Sequence, residues 1–213
     1  MLVAFDFDGA LAENDMTVAL AAEAGVEDEV AAIADRAATG DVDHAEGIRE
    51  RVALFEGLSA DRVDSAFDRV KLRSGAADLL ADLREAGHRV AVVSEGFERG
   101  VDHVFANRRP RVDADDVVAN RLVFDDHDAL IGDVEGPLLD GSPADALDSI
   151  ATAAGVPMTE TLAVGGRAYS LPMLQAADDA VGFHPDAVVE DYVDYVRRDV
   201  GQLRLHFEDH GLL

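Results

Sequence analysis

The sequence predicts an α/β protein, in which a doubly wound parallel sheet carries a block of helices inserted after its first strand. Between residues 16 and 69, apolar side chains recur at spacings of three and four, which is typical of helices. From Ser74 onward, helical stretches alternate with short apolar runs, as in β-α units. We therefore expect residues 1–13 and 73–213 to form the α/β core, and residues 14–72 to form a helical cap.

The elements follow from local signals taken in chain order. The apolar run 2–5 forms the first strand, and Gly25, Gly40 and Gly57 mark breaks between the cap helices. Ser59 is a typical residue for a helix start. The core should then contain helix 76–86, strand 89–94, helix 97–105, a hairpin of 117–124 with 129–134, helix 143–154, strand 161–164, helix 171–177 and strand 180–183. Both connections between core and cap are short, so the cap should lie over the carboxyl edge of the sheet as a lid.

The composition excludes several classes of partner. A formal net charge of −26 repels nucleic acid and anionic membranes, and the acids are spread along the chain, as on a solvated surface suited to concentrated salt. The absence of cysteine excludes disulfides, thiol nucleophiles and sulfur metal sites. No run reaches the ~18 apolar residues of a membrane helix. Because Met1 leads directly into a strand, we expect a cytoplasmic protein, whose oligomeric state the sequence leaves open.

Two carboxylates stand where the first strand ends. Asp6 and Asp8 are two residues apart, so both side chains leave the strand on the same face. The carboxyl ends of strands are where α/β folds bind ligands. Asp6 could attack a phosphoryl group, with Asp8 as general acid and base and a divalent cation between them. The alternative is a solvated pair of acids in an Asp-Gly turn.

Three stretches in order identify a family resemblance. Asp6-Phe7-Asp8-Gly9, Val92-Val93-Ser94-Glu95-Gly96-Phe97 and Ala163-Val164-Gly165, with a helical insert behind the first, resemble the haloacid dehalogenase superfamily. The likeness is to its phosphoserine phosphatase branch and covers nearly the whole chain. It implies a Rossmann-like core, a phosphomonoester substrate, a phospho-aspartate intermediate and Mg²⁺.

The resemblance also implies roles for individual residues. Asp6 would be the nucleophile and Asp8 the acid and base, and these two would also hold any metal. Asp15 and Arg51 would bind the amine and the carboxylate of the substrate from the cap. The remaining substrate-binding residues implied are Ser94, Glu95 and Gly96, with Ser94 bonded to the phosphoryl oxygens.

The chain departs from the family pattern at several motif positions. Pro143 stands where the third motif has its lysine, and Gly166 and Ser170 replace the two acids of the fourth motif. The remaining departures are Ala10 for a usual threonine, Glu95 for a glycine, and Arg167 within the remodelled fourth motif. Losing a single electrostatic contact of this kind typically costs ~10²–10³ in rate.

These departures lead to two hypotheses. The first is a ligand-binding pseudophosphatase, with phosphomonoesterase activity impaired or lost and only weak Mg²⁺ binding. The second is an active Mg²⁺-dependent phosphatase that hydrolyses phosphoserine or a similar small phosphomonoester, with Asp178, Asp179 or Glu95 as replacement ligands. We further expect Arg167 to approach Asp6 or Asp8 in place of the cation. In both cases the expected partner is a small phosphorylated molecule.

Overall fold

A computed structural model describes residues 1–108 and 112–213 of the chain. Within these residues, no helix is both long and apolar enough to span a bilayer. The strands are β1 (Leu2–Asp6), β2 (Arg89–Phe97), β3 (Asp116–Phe124), β4 (Leu130–Glu135), β5 (Thr161–Gly165), β6 (Asp179–Phe183) and β7 (Tyr195–Arg197). The helices are α1 (Met16–Ala24), α2 (Glu27–Thr39), α3 (His44–Ala53), α4 (Ala60–Phe67), α5 (Ala76–Glu85), α6 (Glu98–Ala106), α7 (Pro137–Asp140), α8 (Pro143–Ala154), α9 (Leu171–Ala176), α10 (Ala187–Glu190) and α11 (Val200–Asp209).

The strands form one sheet with the order β4-β3-β2-β1-β5-β6-β7. All neighbouring strands are parallel except β4, which runs antiparallel to β3 at one edge. The predicted doubly wound α/β fold is confirmed, and the hairpin at residues 125–128 accounts for the antiparallel edge strand. Strand β1 is central, so its carboxyl end is flanked by the ends of β2 and β5.

Helices cover both faces of the sheet, because the strands are apolar on both sides. Val3 and Phe5 of β1 belong to the cluster that packs on one face, whereas Leu2 and Ala4 pack with Leu147 on the other. These β1 residues are all 0% exposed. Strand β1 is therefore packed on both faces, which gives Asp6, its last residue, a rigid support.

The segment between β1 and α5 contains helices α1 to α4 and contributes no strand to the sheet. Three residues predicted to end or begin helices lie at helix ends. Gly25 and Gly40 end helices α1 and α2 in the left-handed conformation, and Ser59 is the N-cap residue of α4. The carboxylate of Asp43 accepts a hydrogen bond from the Glu46 amide and so caps α3.

Backbone hydrogen bonds join the two connections between this helical segment and the core. The Glu13 amide donates to the Lys71 carbonyl at 2.8 Å, and the Arg73 amide donates to the Leu11 carbonyl at 2.8 Å. The outgoing and returning chains are thus paired side by side. This pairing fixes the edge of the helical segment nearest to the end of β1.

A second attachment joins the helical segment to the β3–β4 hairpin. The Gly57 amide donates to the Leu130 carbonyl at 2.8 Å, and the Leu130 amide donates to the Leu58 carbonyl at 2.8 Å. The Ala60 amide also donates to the Asp128 carbonyl at 2.7 Å. The loop between α3 and α4 therefore extends the hairpin by backbone hydrogen bonds.

Candidate active site

A pocket of about 470 Å³ opens at the carboxyl end of β1, between the sheet and helices α1 to α3. Its wall on the helical side includes the small side chains Ala34, Ala37 and Ala38 of α2. The polar and charged side chains in its lining are Asp6, Asp8, Asp15, His44, Arg51, Glu95, Arg167, Tyr169 and Asp186. The structure thus brings six of the sequence-predicted residues to one cavity, namely Asp6, Asp8, Asp15, Arg51, Glu95 and Arg167.

Asp6 is the last residue of β1 and is 3% exposed. Burial and the charge of Glu95 raise its pKa well above the usual value, while Arg167 acts in the opposite direction. Parallel pairing with Val93 of β2 fixes the backbone of Asp6. The carboxyl group is therefore held at a defined place in the lining of the pocket.

Asp8 is buried beside Asp6 and has a hydrogen-bond partner on each oxygen. Its Oδ1 accepts from the Met16 amide at 3.0 Å, and its Oδ2 accepts from Ser94 Oγ at 3.3 Å. Burial, Asp15 and Asp6 raise the pKa of Asp8 well above its usual value. A raised pKa favours the protonated form, which is the form a general acid requires.

Ser94 and Gly96 support Asp8 from the end of β2. Ser94 is fully buried, and its Oγ accepts a hydrogen bond from the Gly96 amide at 3.0 Å. The Asn120 side chain donates to the Glu95 carbonyl at 2.9 Å, which holds the intervening backbone. These contacts position the acid pair and also direct the side chain of Glu95 into the pocket.

The helical side of the pocket contributes Asp15 and Arg51. Asp15 caps α1, with Oδ1 accepting from the Thr17 amide at 2.7 Å and the Val18 amide at 3.1 Å. Arg51 lies on α3 with a side chain that is 13% exposed, and its Nε donates to the Gly47 carbonyl at 3.0 Å. Both side chains are therefore oriented by their own helices.

Glu95 connects the sheet side of the pocket with α3. Its Oε2 lies 3.2 Å from His44 Nε2 and 4.0 Å from Arg51 Nη2. Burial raises the pKa of Glu95 to about 7, against the lowering effect of Arg51. His44 also stacks on Tyr169, with ring centroids 4.8 Å apart at 20°. The Tyr169 hydroxyl is buried and has no hydrogen-bond partner among the described residues.

Arg167 lies beside the acid pair but pairs with another residue. Its Nη1 is 3.8 Å from Asp186 Oδ1, and its side chain is 58% exposed. A Cβ placed on Gly9 would lie 2.8 Å from Arg167 Nε, so the Arg167 side chain lies against the turn directly after Asp8. No ion pair of Arg167 with Asp6 or Asp8 is among the described contacts, but its charge lowers the pKa of Asp6, so the approach of Arg167 to the acid pair in place of the cation stays a prediction.

The other degenerate motif positions have structural partners outside the pocket lining. Pro143 begins α8, where Ser142 and Asp145 form a capping box. The Ala10 carbonyl accepts a hydrogen bond from Arg73 Nε at 2.9 Å. Ser170 is buried, and its Oγ donates to the Arg167 carbonyl at 2.8 Å, closing a turn.

Gly166 lies against the backbone of β6. A Cβ at this position would overlap the Phe183 carbonyl oxygen, so the chain passes too close for any side chain without a shift. Asp178 and Asp179, considered as replacement metal ligands, lie at the amino end of β6, opposite to the pocket edge of the sheet. These two residues do not face the pocket, because parallel strands present their carboxyl ends to it, whereas Glu95, the third residue considered as a replacement ligand, lines it.

The described residues of the pocket offer a Mg²⁺ ion two carboxylates at the end of β1, those of Asp6 and Asp8. Within residues 1–108 and 112–213, no group of three or more His, Cys, Asp or Glu side chains could hold a metal. Mg²⁺ in proteins is commonly held by one or two carboxylates, with water and substrate phosphate completing its octahedral shell, so Asp6 and Asp8 would fit such an ion. Gly166 supplies no third carboxylate.

Sequence reasoning missed three polar residues of the lining, His44, Tyr169 and Asp186. Each belongs to a different segment, and only folding of the helical segment onto the core brings His44 to Tyr169. The sequence carried one weak signal, since Tyr169 occupies the remodelled stretch after Gly166. An aromatic residue between Gly166 and Ser170, the two positions that lack the family's acids, indicates that this loop makes different contacts.

Known proteins are similar to this chain over nearly its whole length. The family model described as haloacid dehalogenase-like hydrolase matches residues 3–175. A phosphoserine phosphatase of Halobacterium salinarum is 45% identical over 211 residues, which cover 99% of each chain. One from Methanocaldococcus jannaschii is 32% identical over 205 residues, or 95% of each chain. A solved substrate-bound phosphoserine phosphatase complex has a TM-score of 0.85 at 31% identity, covering 96% of this chain and 97% of that one.

Proposed function

The chain belongs to the haloacid dehalogenase-like hydrolase family, and on that basis we propose that it is a phosphomonoesterase of the phosphoserine phosphatase type that acts on a small phosphomonoester. The observation that carries this proposal is the buried pair of Asp6 and Asp8 at the carboxyl end of the central strand, open to one pocket. The 45% identical phosphoserine phosphatase of Halobacterium salinarum supports the active form over loss of activity.

The chemistry assigns one task to each carboxyl group. The Asp6 carboxylate attacks phosphorus, so an aspartyl Oδ–P bond forms while the bond to the leaving alkoxide breaks. Asp8, held by Ser94 and the Met16 amide, gives its proton to that alkoxide. Water then attacks the phospho-aspartate as Asp8 takes up its proton. The products are an alcohol and inorganic phosphate.

Arg167 supplies positive charge on the side of the pocket that holds the acid pair. Its side chain lies against the turn at Gly9, directly after Asp8, and its charge lowers the pKa of Asp6. A fixed guanidinium stabilises charge on phosphoryl oxygens. We assign residues 14–72 the role of a cap that keeps water from the phospho-aspartate until the alcohol has left.

A second candidate function is binding of a phosphomonoester without turnover. The missing acid at Gly166 favours it, because the described residues offer the cation two carboxylates and no third, which weakens its binding. Under the first function, we expect turnover well below that of a family member with complete motifs, by about 10²-fold or more.

The test compares wild type with Asp6→Asn and Asp8→Asn on p-nitrophenyl phosphate and O-phosphoserine in molar KCl. Phosphate release and ligand binding by calorimetry are measured separately, each with Mg²⁺ and with EDTA. The phosphatase proposal expects phosphate release that falls to background in Asp6→Asn. It also expects Asp8→Asn to lose most activity on O-phosphoserine but less on p-nitrophenyl phosphate, whose leaving group needs no proton.

The exposed Glu160→Gln is the matched control, because it makes the same kind of acid-to-amide change on the opposite part of the core. Binding of the ligand by wild type without any phosphate release, unchanged in Asp6→Asn, would contradict the phosphatase and support the second candidate.

A further inference from the structure

The side chain of Glu95 occupies the space in front of Arg51. Its Oε2 lies 4.0 Å from Arg51 Nη2 and 3.2 Å from His44 Nε2. Its backbone is held by the Asn120 amide group, so the carboxylate is directed into the pocket by the sheet. The carboxylate next to this guanidinium is therefore part of the protein.

Arg51 already has an acid of the protein beside it. Its Nε is used by the Gly47 carbonyl, and its Nη2 lies 4.0 Å from Glu95 Oε2. A ligand carboxylate gripped by two bonds would have to use the Nη1–Nη2 edge, so it would share this guanidinium with the Glu95 carboxylate. Burial and Arg51 lower the pKa of His44, so this ring does not supply a second positive charge near neutral pH.

The charges on this side of the pocket instead favour a cation. Among the described residues that line this side of the pocket, Glu95 offsets Arg51, and Asp15 adds one further negative charge. Asp15 uses Oδ1 for the α1 amides. A ligand carboxylate would meet Glu95 and Asp15 as like charges, whereas an ammonium would be attracted by both.

We propose that Glu95 makes this site selective for phosphomonoesters whose organic part carries an ammonium group and no carboxylate. O-Phosphoethanolamine has this chemistry, and it differs from O-phosphoserine only by the carboxylate. The assignment rests on the proposed function for the phosphoryl end of the ligand, and it deepens that function by naming the substrate class.

The test measures binding of these two compounds by calorimetry, and their hydrolysis by phosphate release, at about pH 8, where Glu95 is ionised. Wild type should bind O-phosphoethanolamine about tenfold or more tightly than O-phosphoserine. Glu95→Gln should strengthen O-phosphoserine binding about tenfold and reduce or reverse the preference. Glu160→Gln should keep the wild-type preference, and circular dichroism should show that both variants are folded.

The outcomes separate selectivity from catalysis. A binding preference that Glu95→Gln abolishes supports the inference even when no phosphate is released, in which case only the phosphatase proposal fails. Equal binding of both compounds by wild type, tighter binding of O-phosphoserine, binding of neither, or an unchanged ratio in Glu95→Gln would each overturn it.

Discussion

Replacing Glu95 by glutamine should stabilise the fold, and the gain should grow with pH. The side chain is 25% exposed, and burial raises its pKa from the usual 4.5 to about 7. The unfolded chain releases this proton near pH 4.5, but the folded chain keeps it until about pH 7. The folded state therefore loses stability relative to the unfolded state as pH rises through this window.

The size of this stability change follows from the two pKa values of Glu95, 4.5 in the unfolded chain and about 7 in the folded chain. At about 1.4 kcal/mol per pH unit, wild type loses ~3 kcal/mol by pH 7 and nothing further above it. Glutamine does not ionise, so the variant avoids this loss. Its weaker contacts with His44 and Arg51 offset part of the gain, but they change little with pH.

Urea unfolding followed by circular dichroism, from about pH 5 to about pH 8 in molar KCl, measures the difference between variant and wild type. For a chain of this size, ~3 kcal/mol also corresponds to a shift of about 6–12 °C in Tm. Glu160→Gln controls for the loss of one surface charge. A difference between Glu95→Gln and wild type that stays constant over this range, or that shrinks as pH rises, would refute the reasoning.

Three further predictions concern stability and the acid pair. The Tm should rise markedly from dilute buffer to molar KCl, because a net charge of −26 is self-repelling until it is screened; an unchanged Tm would contradict this. Gly166→Ala should lower the free energy of unfolding by about 1–3 kcal/mol through overlap with the Phe183 carbonyl, and a neutral result in urea unfolding would show that the backbone yields easily. Ser94→Ala should cost about 1–3 kcal/mol in the same assay, because Asp8 and the Gly96 amide each lose a buried partner; an unaltered midpoint would contradict it.

The sequence predicted the elements that have strong periodicity or clear end signals. Helix α8 runs over residues 143–154 as expected, because Ser142 and Pro143 start it and Gly155 ends it. Strand β2 was expected to end at Ser94 but continues to Phe97, where it resumes pairing with β3 after an irregularity. Helix α6 consequently begins one residue later than expected.

Two parts of the molecule lay beyond sequence reasoning. Strand β7 has three residues, Tyr195–Arg197, which are too few for an alternating pattern, and helix α11 behind it was not predicted either. In the pocket, the acid pair is local in sequence and was found. The contact of His44 with Tyr169 joins residues that are far apart in sequence, so only the folded chain shows it.

The contacts of Arg167 also depend on residues that are distant in sequence. Arg167 belongs to the fourth motif, and its side chain lies against the turn at Gly9. Its ion pair is with Asp186, which lies just after β6 and comes close because β5 and β6 are neighbours in the sheet. In a chain this acidic, the choice of partner for an exposed arginine depends on tertiary neighbours.

The two attachments of the helical segment limit how the pocket can open. Paired backbone at Glu13 and Lys71 holds one side, and the bonds from Gly57 and Leu58 to Leu130 hold another. Because the helical segment is held at two separate places, it cannot rotate as a rigid body without breaking backbone hydrogen bonds. Among the described residues, no such backbone hydrogen bond joins helix α2 to the core, and the buried residues of this helix are Val30 and Ile33. Entry and exit of a ligand should therefore depend on a small displacement of α2. The width of the opening beside this helix, rather than a movement of the whole helical segment, should then limit the size of the ligand.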